Sequence, residues 1–293
     1  MKEARSPFRE RSEGIMFLVF LLALILPLST SFWIFNLILS TANGTVYDPI
    51  SPVRWLASVL FPIIIAGYGL KKKSLDCSGA IVGGQRNWVQ VLCNGGIATE
   101  LAIIYMIEHG CGETVIDFAK DYHTSWLSMA VLGALACSNG DTWASELGSV
   151  IGKGPPVLIT SFKPVPRGTN GGVSMAGLLF SALGGSAVGL AYYCALLIFL
   201  HPHLLSDSPA QWPVIIVATL SGLIGSLIDS ILGATLQYSG VDKKTGKVVD
   251  YPGEKVDHVS GMGILDNHSV NLLSSIFTAV ITPSLAMSLW QMV

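Results

Sequence analysis

The chain has 293 residues, of which 51% are hydrophobic and only 12% are charged, and its formal net charge is −2. Soluble domains carry roughly 25% charged residues, so this chain has too little charge to cover a water-soluble globule of its size. No basic domain suited to nucleic acid is visible, and the five cysteines form no CxxC pair that would indicate a zinc or disulfide framework. The mean hydropathy of +0.58 indicates a protein solvated by a bilayer.

Several segments are apolar and long enough to span a membrane as a helix, which takes about 20 residues. They are 15–39, 53–70, 90–108, 125–148, 170–200, 211–236 and 270–290. The first is too long for the apolar part of a signal peptide and no Ala-x-Ala site follows it, so we expect it to be retained. The sequence predicts an all-α, polytopic transmembrane bundle of about seven spans, forming a single membrane domain over residues 1–293.

The distribution of basic residues predicts the orientation of this bundle, because cytoplasmic loops are enriched in Lys and Arg. With seven spans, only Arg54 and Lys120 fall on one side of the membrane. The other side carries the remaining 15 basic residues: Lys2, Arg5, Arg9, Arg11, Lys71, Lys72, Lys73, Arg86, Lys153, Lys163, Arg167, Lys243, Lys244, Lys247 and Lys255. We therefore expect a cytoplasmic N-terminus and a lumenal or external C-terminus.

Small residues recur every four positions in two of the predicted spans. The longer series is Gly177, Ser181, Gly185 and Gly189, and segment 211–236 contains the pairs Ser221/Gly225 and Gly222/Ser226. Such spacing places small residues on one helix face and favours close contact between helices. We interpret these residues as packing surfaces.

Three polar clusters lie at the same predicted depth, near the cytoplasmic ends of their spans. They surround Asp141, Asp229 and the segment 266–271, which contains Asp266, Asn267 and Asn271. Ionisable residues within spans are costly and often functional, although serines and asparagines alone could serve only to join helices by hydrogen bonds. Carboxylate and amide oxygens are ligands suited to Mg²⁺, so we predict a shared metal site.

A basic, glycine-rich loop follows the first of these clusters. It runs through Lys163, Arg167, Thr169, Asn170, Gly171 and Gly172. Glycines at a helix start expose backbone N–H groups that can bind an anion, and nearby basic side chains suit phosphate. The GxxxxGK[ST] spacing of a P-loop is absent, and a plain glycine-rich turn is the alternative interpretation.

The remaining polar residues carry weaker signals. His109, His123 and His258 lack the spacing of metal ligands, and His201 and His203 are interpreted as surface residues. No Ser/His/Asp or Cys/His set for nucleophilic catalysis is visible.

Four ordered motifs resemble the transmembrane protein 19 family. They are GDTWASELG (140–148), GTNGGVS (168–174), DSILGATLQ (229–237) and ILDNHSVNLLSS (264–275). This family is similar to bacterial and plant membrane proteins that include the plant phytyl phosphate kinase, which converts an isoprenoid monophosphate to a diphosphate. The resemblance also extends, more distantly, to dolichol kinase and phosphatidate cytidylyltransferase, which use CTP.

The resemblance implies a Mg²⁺-dependent lipid phosphate kinase that uses a cytosolic nucleoside triphosphate, CTP or ATP, and an isoprenyl phosphate substrate. Asp141 and Asp229 would be catalytic and would hold the metal together with Asp266, Asn267 and Asn271. The phosphate groups would be bound by Thr169, Asn170, Gly171, Gly172, Lys163 and Arg167. We expect an integral, multi-pass protein of an endomembrane such as the endoplasmic reticulum, in contact with membrane lipids.

Two departures from the related families are visible. Polyprenol kinases carry Lys and Glu before the Gly-Thr pair, whereas this chain has Pro166-Arg167 there. Members of the transmembrane protein 19 family have further hydrophobic sequence between the regions that correspond to 78–80 and 84–88, which here are nearly contiguous. This gap indicates a splice variant or a defective gene model, which would then lack a piece of the bundle and be inactive.

Two other function classes fit the same residues. A membrane transporter also places acidic residues and interrupted, glycine-rich helices near the bilayer midplane. A non-catalytic membrane protein is the third alternative. The basic loop beside the acidic clusters favours the kinase.

Overall fold

The computed structural model describes residues 88–110 and 112–293, which form a mostly helical bundle. Its five long helices are α1 (Trp88–His109), α2 (Tyr122–Trp143), α4 (Met175–Phe199), α6 (Pro213–Leu236) and α7 (Asn267–Trp290). Two short helices are α3 (Ser149–Ile151) and α5 (Pro202–Ser206). The predicted spans 15–39 and 53–70 lie outside the described residues.

Four of the five long helices are long and apolar enough to cross a membrane: α1, α4, α6 and α7. Helix α2 has the length but is less apolar, because it contains serines, two threonines, an asparagine and an aspartate. The span predicted over 125–148 corresponds to α2 and a π-helical turn, Ala144–Gly148, that continues it. One other predicted boundary differs. Span 170–200 begins at Met175, because the preceding residues form a turn and a short strand.

Polar side chains determine where three of the long helices begin, since the first backbone N–H groups of a helix need acceptors. Asp121 accepts from Thr124 N at the start of α2, Ser174 from Gly177 N before α4, and Asp266 from Ser269 N before α7. The Thr124 side-chain hydrogen bond also lowers the pKa of Asp121, which keeps this acceptor ionised.

Glycines bring α2, α4 and α6 into backbone contact, which confirms the packing predicted from the small-residue spacing. A Cβ on Gly185 of α4 would lie 2.3 Å from Ala218 O of α6. A Cβ on Gly140 of α2 would lie 2.9 Å from both Gly222 Cα and Ser181 O. No side chain fits at these positions, so the three helices approach one another through bare backbone.

Five short strands lie in the connections at one end of the bundle. Strand β1 (Val157–Leu158) pairs antiparallel with β2 (Gly172–Val173). The segment between α6 and α7 forms an antiparallel sheet in the order β4-β3-β5. These strands are β3 (Ser239–Asp242), β4 (Val248–Val249) and β5 (Val256–Ser260).

The two ends of the bundle differ strongly in charge. The strand-bearing connections between α2 and α4 and between α6 and α7 lie at one end, here called the basic end. It carries seven of the eight Lys and Arg residues in the described part of the chain: Lys153, Lys163, Arg167, Lys243, Lys244, Lys247 and Lys255. The opposite end, formed by residues 110–121, 200–212 and the C-terminus, carries Lys120.

This asymmetry predicts that the basic end faces the cytoplasm. A reporter tag inserted beside Lys244 should be accessible from the cytoplasm, whereas a tag at the C-terminus should be protected. Protease protection of intact membrane vesicles measures both. A cytoplasmic C-terminus would contradict the predicted orientation, because the end of α7 and the 237–266 connection lie at opposite ends of the bundle.

Candidate functional site

Asp141 of α2 and Asp229 of α6 lie close enough for their charges to interact, and each is held by a serine from a neighbouring helix. Ser226 of α6 donates to Asp141 Oδ1 at 3.4 Å, and Ser274 of α7 donates to Asp229 Oδ2 at 3.3 Å. Asp229 lies seven residues before the end of its helix. Its distance from the basic end is therefore about 10 Å along the helix axis. Both aspartates are partly exposed. We call them the carboxylate pair.

Helices α1 and α7 add amide groups to this pair. When the Asn271 amide is oriented to match its neighbours, its nitrogen donates to Asp229 Oδ2 and to the Asn267 carbonyl, both at 3.1 Å, and its oxygen lies 3.1 Å from the Asn94 side-chain amide. Ser138 Oγ donates to the Asn94 carbonyl at 2.6 Å, which joins α2 to α1. Asn94 was absent from the predicted site, although it occupies the same predicted depth as the other polar residues.

Among the described residues, no basic side chain of the long helices balances the negative charge of the carboxylate pair. None of the five long helices contains Lys or Arg. Within the part of the chain that the structure describes, the ion pairs involve neither Asp141 nor Asp229. Two nearby carboxylates in a membrane interior favour a bound cation, and their oxygen donors are those that Mg²⁺ prefers. The donor set therefore fits this ion.

Asp266 caps helix α7. Its side chain accepts a hydrogen bond from Ser269 N at 2.8 Å. Asn267 is exposed, and it contacts this site through its backbone carbonyl, which faces the Asn271 side-chain amide. The structure thus joins Asn271 to Asp229, and the contact that it gives the Asp266 side chain is the helix cap.

A serine at position 266 separates the two roles proposed for Asp266, because serine also caps helices but lacks a negative charge. If Asp266 serves mainly as a cap, Asp266→Ser should keep the thermal stability of the protein within about 0.5 kcal/mol, whereas Asp266→Ala should lose about 1 kcal/mol. Thermal denaturation in detergent measures both variants. A loss of phosphoryl transfer by a stable Asp266→Ser protein would instead support the predicted role in metal binding.

The predicted phosphate loop, Thr169–Gly172, uses most of its backbone donors within the protein. Thr169 N donates to Pro166 O at 3.2 Å, Asn170 N to Ser239 Oγ at 3.0 Å, and Gly172 N to Thr169 O at 3.0 Å. A phosphate bound by these groups would have to displace existing hydrogen bonds. Gly171 has a φ of 77° and its backbone packs on α6, where a Cβ would lie 2.4 Å from Ala234 Cβ. The glycine is thus needed for packing as well as for the turn.

The two basic residues predicted to bind phosphate differ in their surroundings. The Arg167 guanidinium donates to the carbonyls of Ser149, Gly152 and Gly154, with the shortest contact, 2.6 Å, to Gly152 O. It therefore holds the turn that follows α3. Lys163 is exposed at the basic end and points to no partner that the described residues show. Of the two, Lys163 is the better placed to meet a ligand.

A second cluster lies at the opposite end of the bundle, and sequence reasoning missed it. Glu108, His109 and His123 place their ligand atoms within 4.8 Å of one another. The spacing from His109 to His123 matches no metal motif, because a loop separates the two histidines. The only signal in the sequence was the position of all three residues at the ends of two consecutive predicted spans.

Comparisons with known proteins identify relatives of the chain. The family described as "Integral membrane protein DUF92" matches residues 72–279. "Protein PGR" of Arabidopsis thaliana is 47% identical over 202 residues, which cover 68% of this chain and 69% of that protein. An uncharacterized membrane protein of Methanocaldococcus jannaschii is 25% identical over 226 residues, covering 77% and 72% of the two chains. A Synechocystis membrane protein, also uncharacterized, is 34% identical over 122 residues, or 42% of each chain. No solved structure matches.

Proposed function

The chain belongs to the DUF92 family of integral membrane proteins, and we propose that it is a Mg²⁺-dependent kinase of a lipid monophosphate. The phosphoryl donor would be a cytosolic nucleoside triphosphate, CTP or ATP. The acceptor would be an isoprenyl monophosphate, a choice that rests on the resemblance of the four sequence motifs. Phosphoryl transfer needs positioned phosphates and stabilised charge more than covalent chemistry from the protein, so few residues suffice.

The carboxylate pair is the observation that carries this proposal. Asp141 and Asp229 meet between α2 and α6 with hydroxyl and amide partners but with no basic side chain from the long helices. A cation at this position would relieve the repulsion between the two carboxylates. Magnesium would also neutralise charge on the phosphoryl group during transfer.

The residues around the pair would orient it. Ser226 holds the Asp141 carboxylate, and Ser274 with Asn271 holds that of Asp229. These partners come from α6 and α7 and the carboxylates from α2 and α6, so the position of each carboxylate depends on the packed bundle. An oriented pair would bind the ion without a further entropic cost at the moment of reaction.

The basic end would receive the phosphates, because it lies about two helical turns above Asp229 on the same side of the bundle. Its exposed lysines, among them Lys163, would attract the nucleotide from the cytoplasm. Thr169–Gly172 would contribute only if the ligand replaced its present hydrogen bonds. The isoprenoid chain would lie among apolar helix surfaces and in the bilayer, leaving its phosphate at the basic end.

The direct test is an assay of the purified protein in lipid nanodiscs with Mg²⁺. CTP or ATP labelled at the γ-phosphate would be supplied with a panel of isoprenyl monophosphates, and the Arabidopsis relative would be assayed beside this chain. We expect labelled isoprenyl diphosphate that disappears when the metal is chelated. Product from the relative but not from this chain would show that sequence missing here is required. The absence of transfer by both proteins would refute the kinase proposal.

A transporter is the second candidate, favoured by the partial exposure of two intramembrane carboxylates that lack basic partners. The π-helical turn at Ala144–Gly148 directly follows Asp141, and such turns are frequent at functional sites. This alternative predicts ion-coupled uptake by proteoliposomes without any nucleotide. The proximity of the basic end to the pair favours the kinase.

A further inference from the structure

We propose that Glu108, His109 and His123 bind a divalent transition-metal ion such as Zn²⁺ at the end of the bundle opposite the carboxylate pair. Glu108 Oε2 lies 2.8 Å from His123 Nδ1 and 3.8 Å from His109 Nε2. Ligands bound to one tetrahedral ion at about 2.1 Å are separated by about 3.4 Å. The three atoms therefore need to move by less than about 1 Å to share an ion.

The surroundings of His109 leave its Nε2 free to bind metal. Thr124 Oγ1 donates to Asp121 Oδ2 and lies 2.8 Å from His109 Nδ1. Since the hydroxyl has one proton and gives it to Asp121, the His109 Nδ1–H donates to Thr124. The Nε2 lone pair then faces the Glu108 carboxylate.

A hydrogen bond does not account for the contact between His109 and Glu108. The separation of 3.8 Å exceeds the 2.7–3.2 Å range of N–H···O bonds, whereas it suits two ligands of one ion. A neutral Nε2 presents its lone pair to the carboxylate oxygen, and a cation shared by the two atoms, either a proton or a metal ion, would remove this repulsion. The chain from His109 through Thr124 to Asp121 resembles the outer partners that orient metal-binding histidines in proteins.

The protein holds these ligands on ordered elements. Glu108 and His109 end α1, and His123 lies in the first turn of α2. The connection between the helices is fastened to the bundle by Gln211, which accepts from Ile116 N at 2.8 Å and donates to Ile116 O at 3.0 Å. Ile116 itself is fully buried in the apolar core. The two helix ends therefore have a defined separation.

The ligand types select the class of metal. Two imidazoles and one carboxylate favour Zn²⁺ and similar first-row ions, whereas Mg²⁺ prefers oxygen ligands alone. Three protein ligands leave a fourth position for water, as in zinc sites that remain open. The His123 side chain is 61% exposed, so an ion can exchange with solvent. The protein would thus bind chemically different ions at its two ends.

The test measures metal binding by the full-length protein in nanodiscs after removal of metal with a chelator. Zn²⁺ affinity is determined by calorimetry, and Co²⁺ serves as an absorption probe of coordination. Glu108→Gln, His109→Ala and His123→Ala should each raise the dissociation constant at least tenfold and remove the Co²⁺ absorption bands. Thr124→Val, which removes an outer partner, should raise the dissociation constant about tenfold.

His203→Ala is the matched control, because His203 is exposed at the same end but lies outside the cluster. We expect it to bind both metals like the unchanged protein. Equal weakening by His203→Ala, or no effect of Glu108→Gln and His123→Ala in proteins of unchanged melting temperature, would mean adventitious binding by surface histidines and would overturn the proposal. None of these measurements depends on kinase activity, so the two proposals fail separately.

Discussion

Replacing Asp141 with asparagine is expected to lower the rate of Mg²⁺-dependent phosphoryl transfer about a hundredfold or more. Asparagine keeps the size of the side chain and a hydrogen-bond acceptor for Ser226, but it removes one of two charges that would hold the metal. Since the charge acts where the phosphoryl group is transferred, the change should appear mainly in kcat. Steady-state kinetics with the labelled nucleotide assay measures this effect.

Asp229→Asn should cause a similar loss, because Asp229 supplies the second charge of the pair. Asp207→Asn is the matched control, since Asp207 is an exposed carboxylate at the opposite end of the bundle. Its activity should equal that of the unchanged protein. Equal activity of a folded Asp141→Asn protein and the control would contradict a role for the carboxylate pair in transfer.

The same variant separates the kinase from the transporter. In proteoliposomes, a transporter with Asp141→Asn should lose or change its coupling to an ion or proton gradient, and nucleotide should have no influence. A kinase should show the opposite dependence. Both measurements use one purified protein, so differences in expression do not affect the comparison.

Replacing Gly185 with alanine is expected to disrupt the bundle. The new Cβ would lie 2.3 Å from Ala218 O and 3.1 Å from Thr219 Cα, and both atoms belong to the backbone of α6. Backbone atoms cannot rotate away, so α4 and α6 would have to separate. Overpacking costs about 1–3 kcal/mol and occasionally more, and we expect the upper end of this range. The fraction of monodisperse protein after heating in detergent measures the loss.

Gly177→Ala provides a control in the same helix. Its Cβ would meet the hydroxyl of Ser174 at 3.2 Å, and the nearest backbone atom of another helix, Ala144 O, lies at an ordinary contact distance of 3.9 Å. Alanine also favours the helical state over glycine by about 1 kcal/mol, so this variant should be as stable as the unchanged protein. Identical heating curves for Gly185→Ala and Gly177→Ala would show that the close approach of α4 and α6 is not required.

The two aspartates show which part of the candidate site could be predicted from the sequence. Asp141 and Asp229 were grouped because they lie at one predicted depth, and depth follows from counting residues along apolar segments. The structure adds that their charges interact, that Ser226 holds Asp141, and that Ser274 and Asn271 hold Asp229. It also shows Asp266 as a helix cap, a role that the Asp-x-x-Ser spacing indicates only once the start of α7 is known.

The sequence by itself determined that the protein belongs in a membrane, and it placed the five described helices to within a few residues at most ends. It also determined the close packing of small residues and the excess of basic residues at one end. These properties depend on local hydropathy, spacing and composition. Tertiary structure alone decided that Arg167 binds the carbonyls of a preceding turn, that the 237–266 connection is a sheet, and that His109 meets His123. Such contacts depend on the rotation of each helix about its axis and on the path of the loops, which residue spacing does not specify.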